Sequence, residues 1–311
     1  MHFFCNQITQ FVSHHYASNA QNIPFLDSIP HFAHYTGMAN RSWSTDALVL
    51  SLSAFGEGHR EAHLLTQDRG LIRAAVFGGA KSKLRALVSP FQTGKVWLYT
   101  DPVKKSSRIT DFDVVAWRPG IREELVRSWC ASFCAEVVTR SHGVADWRLV
   151  NAYLDGIAVS GEDECRRGTL RFVWRTLEAA GLCPDLSACA RCGDALFSEE
   201  PLAPQTAETV PLDDADPSIN GQKGENEVVY YSPVDDALLC GRCAQAGERR
   251  FPLSVGSLRY LRAIGSERPD AVRRLRVSPR EYAELRGFLF FLVSRMVDGT
   301  LKTLEAGDGI L

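Results

Sequence analysis

The stretch TDALVLSLSAFGEGHREAHLLTQDRGLIRAAVF, residues 45–77, changes side-chain character at every second position. Ala47, Val49 and Ser51 alternate with Leu48, Leu50 and Leu52, the period of a strand whose neighbours point to opposite faces, and Phe55-Gly56-Glu57-Gly58 ends it. Glu61 to Thr66 reads as a second strand. Asp68-Arg69-Gly70 reads as a hairpin turn, with glycine at the positive-φ position, and Leu71 to Phe77 as the return strand before Gly78-Gly79. Phe91 to Tyr99 and Arg108 to Val115 supply a fourth and a fifth. Five short strands in about 75 residues, without helical periods between most of them, predict a small closed barrel of the OB type.

After Arg118-Pro119-Gly120 the period becomes helical. Leu125, Trp129, Cys130, Phe133, Val137 and Val138 recur at steps of three and four; Trp147, Val150, Leu154 and Ile157 form a second face, and Leu170, Val173, Trp174 and Leu177 a third that Gly181 and Pro184 stop. Two further helices are expected at Val255 to Ile264 and, after a Ser278-Pro279 start, at Glu281 to Val297. The predicted class is α+β, an N-terminal five-stranded OB-type β-barrel followed by an α-helical domain that carries a four-cysteine zinc knuckle. The expected division is an extension over 1–40, the barrel over 41–118, and the helical domain over 119–311 with an acidic insertion at 199–236.

A chain of 311 residues is about twice the usual length of one domain. Hydrophobic residues at 45% and charged residues at 23% exclude a disordered chain. The longest uncharged apolar candidate, Gly287 to Val293, falls far short of the roughly 18 residues of a membrane helix. The formal charge of −2 conceals blocks of opposite sign. Residues 41–118 carry 12 basic and 7 acidic side chains, net +5; residues 196–240 are net −9; residues 241–311 are again net +5. Local sign, more than the total, selects electrostatic partners.

Residues 1–37 contain no Lys or Arg, one acid, Asp27, and five of the eight histidines. Without a basic n-region and a small-residue cleavage site they are no secretory signal, and without Arg they are no transit peptide. Met38-Ala39-Asn40-Arg41 then opens just before the first strand. Two readings stand: a dispensable extension ahead of a start at Met38, or a segment packed on the next domain through Phe3, Phe4, Phe11, Phe25 and Phe32.

Cys189-Ala190-Arg191-Cys192-Gly193 and Cys240-Gly241-Arg242-Cys243 form two C-x-x-C turns, each aiming two thiolates at one point, as a tetrahedral Zn2+ requires. No His or Glu stands in catalytic spacing, so the expected site is closed and structural. Arg191 and Arg242 are expected to offset the −2 charge of a Zn(Cys)4 centre. The alternative is four reduced thiols or a redox pair; the paired spacing favours zinc. The 47-residue gap between the pairs is mostly acidic, and a solvated loop of that length adds little closure entropy. Cys183 is the spare thiol, and Cys130 and Cys134, four apart on an apolar helix face, belong to the core.

Other chemistry fails on inspection. Gly78-Gly79-Ala80-Lys81-Ser82 lacks the glycine spacing of a phosphate loop, having Ala80 and Ala75 where glycines belong. His59 and His63 are four apart but on a predicted strand, where that spacing makes no helical metal face. The deaminase signature is absent, since Gly143-Val144 follows His142 and Ala188 precedes Cys189. No convincing nucleophile, base or nucleotide loop remains, and a chain without enzymatic activity is expected.

Phe55-Gly56-Glu57, Leu64-Leu65-Thr66, Gly70, Gly79-Ala80-Lys81-Ser82-Lys83 and Ser89-Pro90-Phe91 together resemble the recombination mediator family RecO. Ala179-Ala180-Gly181-Leu182-Cys183-Pro184-Asp185-Leu186 leading into the first knuckle, and the closing Leu301-Lys302-Thr303-Leu304, agree with it. The resemblance covers roughly residues 45–305 and departs in the first 37 residues and in the long acidic stretch. It implies a bacterial cytoplasmic protein that binds single- and double-stranded DNA and anneals complementary strands. With RecR, and often RecF, such a protein loads RecA onto DNA coated by single-strand DNA-binding protein. Zinc would be a scaffold and not part of a shared chemistry. OB barrels hold single strands in a basic groove with stacking aromatics. The candidate phosphate contacts are Arg60, Arg69, Arg73, Lys81, Lys83, Arg85, Lys104, Lys105 and Arg108, and the first choice is Lys81, Lys83 and Arg85, whose alternate positions would share one strand face. Trp97 and Tyr99 either stack on bases or fill the core. The second function class is a zinc-stapled interaction adaptor whose barrel contacts protein.

Overall fold

Strand β1 (Ser42–Phe55) is the spine of the N-terminal part, because its apolar run is covered on both faces. Ala47 and Val49 point into the barrel interior while Leu48 and Leu50 join the helical core, and none of the four is more than 2% exposed. A bulge between Val49 and Ser51 shifts the pairing. Beyond it Leu52 packs with the inner cluster of Ala47 and Val49, so the strict alternation read from the sequence breaks once. The computed structural model describes residues 41–78, 82–197, 228–248, 250–307 and 309–311. The expectations for residues 1–40, for Lys81 and for most of the acidic insertion lie outside those residues.

Strands β2 (His59–Thr66) and β3 (Gly70–Val76) form the expected hairpin, with Gly70 at φ +64° in its turn. A short helix α1 (Lys83–Leu87) precedes β4 (Thr93–Asp101) and β5 (Ser106–Ala116). Gly94 is required where β4 crosses β5, since a Cβ there would lie 2.0 Å from the Asp113 carbonyl oxygen. Strand order runs β1-β2-β3-β5-β4 and returns to β1. Four seams are antiparallel ladders, whereas β3 and β5 meet through one parallel pair, Ala75 opposite Arg108. Strand β3 ends just as β5 begins, so the continuous closure expected from the sequence is not reached there. The interior is filled by Leu64, Ala74, Val76, Val96, Leu98, Ile109 and Phe112.

The change of period after β5 is made by Arg118, held at φ +46° before a 3-10 turn over Pro119–Arg122. Its buried guanidinium donates to Asp155 at 2.6 Å, to the Phe91 carbonyl and Thr93 Oγ1 at 2.8 Å each, and to Asn151 Oδ1 at 2.9 Å. One side chain therefore ties the start of β4 to α3 (Trp147–Val159), which carries Asn151 and Asp155. Helix α2 (Leu125–Arg140) buries Cys130, Phe133, Val137 and Val138 of its expected apolar face but leaves Leu125 65% exposed, and α4 (Glu162–Ala179) packs against it with Glu162, Asp163 and Glu164 favourably placed in its first turn.

A three-stranded sheet follows, with β6 (Val228–Ser232) between β7 (Ala237–Cys240) and β8 (Phe251–Ser254). This corrects the acidic insertion at 199–236, whose C-terminal end is core. Val229 is 2% and Tyr231 0% exposed, in a period-two run that the acidic surroundings hide. Helices α5 (Val255–Ser266), α6 (Pro269–Arg274), α7 (Pro279–Met296) and α8 (Lys302–Ala306) complete the chain. The Ser278-Pro279 start expected for α7 is a full capping box, Ser278 with Glu281. Glu136 of α2 caps α8 by accepting from the Lys302 and Thr303 amides at 2.8 and 2.9 Å. Among the described residues no helix is long and apolar enough to cross a membrane.

Candidate metal centre and nucleic-acid interface

The first knuckle is a tight loop after α4. Its ends are joined by the Ala188–Ala195 bridge, by Cys189 N donating to the Asp194 carbonyl at 2.8 Å, and by Leu196 N to the Ser187 carbonyl at 3.0 Å. Gly193, at φ +76°, makes the reversal that presents both thiols to one side. The second knuckle turns directly off β7, where Cys243 and Ala244 donate to the Cys240 carbonyl at 3.0 Å. Ala190 N bonds the Leu238 carbonyl at 3.0 Å, and Cys240 N reaches Cys189 Sγ at 3.3 Å. Despite the long gap between them, all four Sγ atoms lie within 4.8 Å of one another, and those of Cys192 and Cys240 are 3.8 Å apart. A tetrahedron with Zn–S bonds of about 2.3 Å has edges of about 3.8 Å. The donor set fits.

The electrostatics of the four thiols favour a cation between them. Burial opposes ionisation of Cys189, but amide donors from Cys240, Cys192 and Arg191 outweigh it and bring its pKa down to about 6. Hydrogen bonds to Cys192 and Cys240 push Cys243 up to about 12. The Cys189 thiolate forms readily while Cys192 and Cys243 resist, which a divalent ion among them would reverse. Of the two arginines expected to offset the thiolates, Arg242 hydrogen-bonds the Cys240 side chain and lies close to Cys192, whereas Arg191 turns to carboxylates. Arg191 bonds Glu248 and Asp235 as well as the Cys243 carbonyl at 3.0 Å, and Arg242 bonds Asp194. Each arginine of one knuckle also reaches the other, so they staple the two loops. Cys183 stands apart, its Sγ directed to the Trp174 carbonyl, and Cys130 and Cys134 are buried in the core as expected.

The nine candidate phosphate contacts separate. Lys83 and Arg85 lie on α1, a helix, so positions two apart point roughly 200° away from each other. The strand face expected for Lys81, Lys83 and Arg85 does not exist, and Lys81 is outside the described residues. Arg85 donates to the Gly58 carbonyl at 3.2 Å. Arg69 lies 3.8 Å over the Trp43 ring and 3.7 Å from Asp68. Arg60 is half-buried opposite Val76. Arg73, Lys104, Lys105 and Arg108 are exposed. Three of them belong to β5 and the loop before it, and Arg73 lies on the outer face of β3, across the open seam.

That seam is crossed by one row of paired residues: Ser42, Tyr99, Arg108, Ala75, Glu61 and Ser53. Tyr99 and Trp97 are half-buried on the outer face of β4, not in the core, with Arg108 4.8 Å from the Tyr99 ring and Lys95 5.9 Å from the Trp97 ring. The sequence reading missed Phe77, which follows β3 and is 44% exposed, and Trp43, whose Nε1 bonds Thr100 Oγ1 at 2.9 Å. The period-two count over Leu71 to Phe77 already places Phe77 on the face of Arg73 and Ala75, which is the signal that could have found it.

Residues 38–118 match the family model described as Recombination protein O N terminal, and residues 122–203 and 216–305 match Recombination protein O C terminal. The chain is 28% identical over 283 residues to DNA repair protein RecO of Heliobacterium modesticaldum, covering 87% of this chain and 90% of that one. It is 30% identical over 227 residues to DNA repair protein RecO of Anaeromyxobacter sp. (strain K), covering 69% and 75%, and 23% identical over 225 residues to that of Bacillus subtilis, covering 70% and 74%. The first model ends where Arg118 turns the chain from sheet to helix, and the second spans both knuckles. With barrel strands, helices and cysteine pairs all inside the matched segments, the chain belongs to the RecO family of DNA repair and recombination proteins.

Proposed function

We propose that the five strands are an OB-type barrel that binds single- and double-stranded DNA, and that the protein anneals complementary strands as a mediator without catalytic turnover. Working with RecR, and with RecF where present, it would help load RecA onto DNA covered by single-strand DNA-binding protein in the bacterial cytoplasm. The observation that carries this reading is the exposed group of Arg73, Lys104, Lys105 and Arg108 around the β3–β5 seam. Cations at a partly open barrel seam fit the grooves by which OB folds hold nucleic acid. Cys189, Cys192, Cys240 and Cys243 would hold one structural Zn2+, which supplies a fixed cross-link between the knuckles. We also propose that residues 1–37 of the N-terminal extension are dispensable, so that a chain starting at Met38 folds and binds DNA as the full chain does.

The test is binding of an oligonucleotide by the full chain across a salt series, followed by annealing with and without single-strand DNA-binding protein. Each phosphate contact contributes about 0.7 to the slope of log affinity against log salt. Charge reversal at Lys104, Lys105 and Arg108 together should flatten that slope by roughly 2 units. A wild-type protein with no salt-dependent DNA binding would overturn the reading in favour of a protein-interaction adaptor.

A further inference from the structure

We infer that Phe77 and Tyr99 form a base-stacking pair on either side of Arg108, and that these two rings set the preference of the site for single over double strands. The inference rests on the DNA-binding reading above. Phe77 shares the outward parity of Arg73 and Ala75 along β3 and belongs to neither core cluster. It is 44% exposed, and His59 meets it edge-on at 4.8 Å and 71°, which fixes the ring without covering it. His59 Nδ1 has no hydrogen-bond partner among the described residues.

Tyr99 lies on β4, two strand spacings or about 10 Å from β3, with Arg108 of the intervening strand opposite it. At the seam Ala75 presents only a methyl group opposite Arg108, so the floor between the two rings is low. Trp97 is the less suitable platform, because its cross-strand partner is Asp111 and the next pair is Lys95 with Asp113. Around Phe77 and Tyr99 four cations, Arg73, Lys104, Lys105 and Arg108, face two carboxylates that are already engaged. Glu61 lies 3.5 Å from His63, and Asp101 Oδ1 accepts from the Val103 and Lys104 amides at 2.9 and 3.1 Å.

Aromatic faces and cations make different demands on DNA. A phosphate is available to a cation in single and double strands alike, whereas a base face is available to a protein ring only when the base is unpaired and unstacked. The two rings therefore add affinity for single strands alone.

The experiment compares oligothymidylate with a duplex of equal length, using the full chain. Phe77→Ala and Tyr99→Ala should each weaken oligothymidylate binding on the order of tenfold. Both should change duplex affinity by about twofold at most and leave the salt slope unaltered. Phe77→Trp should keep the affinity and show fluorescence quenching on binding beyond that of the wild-type protein. Equal losses on both ligands, no loss on either, or no added quenching in Phe77→Trp overturns the inference while the DNA-binding reading stands. A wild-type chain that binds neither ligand overturns that reading and this inference together. Lys104→Glu with Lys105→Glu, expected to weaken both ligands and flatten the slope, separates the two cases.

Discussion

Residues 41–118 and residues 241–311 carry the same net charge, +5, yet Arg242, Arg273, Arg280 and Arg295 of the second are held by carboxylates, whereas one group of four cations in the first is exposed. In the C-terminal block Arg242 ends on Asp194, Arg273 lies 3.5 Å from Glu164, Arg280 lies 3.0 Å from Glu284, and Arg295 lies 2.8 Å from Asp236. In the barrel Arg73, Lys104, Lys105 and Arg108 face solvent around an incomplete strand seam. A block charge counts both kinds equally, although a cation already paired with a carboxylate offers little to a phosphate. Those four arginines of the helical part thus help hold it together, whereas the four cations of the barrel face solvent.

Loss of the knuckles should change stability more than any other substitution. Protein purified without added zinc should hold close to one metal equivalent per chain. Cys189→Ser should release it and lower the melting temperature by roughly 10 °C or more, since two loops and β7 lose their shared anchor. Oligonucleotide binding measured well below that transition should stay near wild type, because Cys189 packs in the helical core cluster and not in that of the barrel strands. A metal-free wild-type protein of undiminished stability would remove the contrast. Next in size is Arg118→Ala, which strips four hydrogen bonds from the junction of β4 and α3 at a cost of about 2–4 kcal/mol. Arg118→Lys should recover little of it, because an ammonium cannot span Asp155, Asn151 and the Phe91 carbonyl at once. Denaturant unfolding measures both.

What could be read from the sequence was what short spacing encodes. The β2–β3 turn follows from Gly70, the start of α7 from Ser278-Pro279, and the convergence of the thiols from two C-x-x-C pairs, however long the gap. What depends on register was not legible. The row joining Tyr99, Arg108 and Ala75 comes from strands far apart in sequence, and the bulge at Val49 moves Leu52 to the other face without any local signal. Helix α1, at five residues, is too short for a periodicity to distinguish it from a strand. Arg118 looks like one more surface cation until its partners, 25 to 37 residues away in sequence, are brought around it. Strand β6 was lost because its Val-Val-Tyr-Tyr-Ser pattern sits at the edge of a strongly acidic stretch.

A smaller effect, and one with a pH signature, is expected at Glu284 on α7. Burial opposes its ionisation, but the Ser254 amide and the Ser254 and Ser257 hydroxyls, with Arg280 beside them, hold its carboxyl below the usual glutamate value. A carboxylate with a depressed folded pKa contributes stability that is present above its unfolded pKa of about 4.3 and is lost as pH falls through the folded value. Glu284→Gln should therefore cost about 1 kcal/mol at neutral pH and progressively less below pH 4. Melting curves from neutral to acid pH would show the variant and wild type converging; parallel curves would mean that the serine contacts do not favour the charged form.

Two substitutions that change charge equally should have small and different effects. Arg242→Ala and Arg108→Ala each remove one positive charge from a basic block. Arg242 is exposed and paired with Asp194 across the two knuckles, so its loss should leave DNA affinity and salt slope unchanged and loosen the metal site slightly. The readout is faster zinc transfer to a chelator, at an almost unchanged melting temperature. Arg108 is exposed beside Tyr99 and opposite Ala75, so its loss should leave zinc transfer unchanged and reduce the salt slope by about 0.7 for single strands. A slope that falls equally in both variants would mean that pairing with a carboxylate does not withdraw an arginine from DNA, and net charge alone would then describe the protein's electrostatics. A slope that falls in Arg108→Ala alone ties DNA affinity to the seam, where an unpaired cation and an aromatic ring share one face.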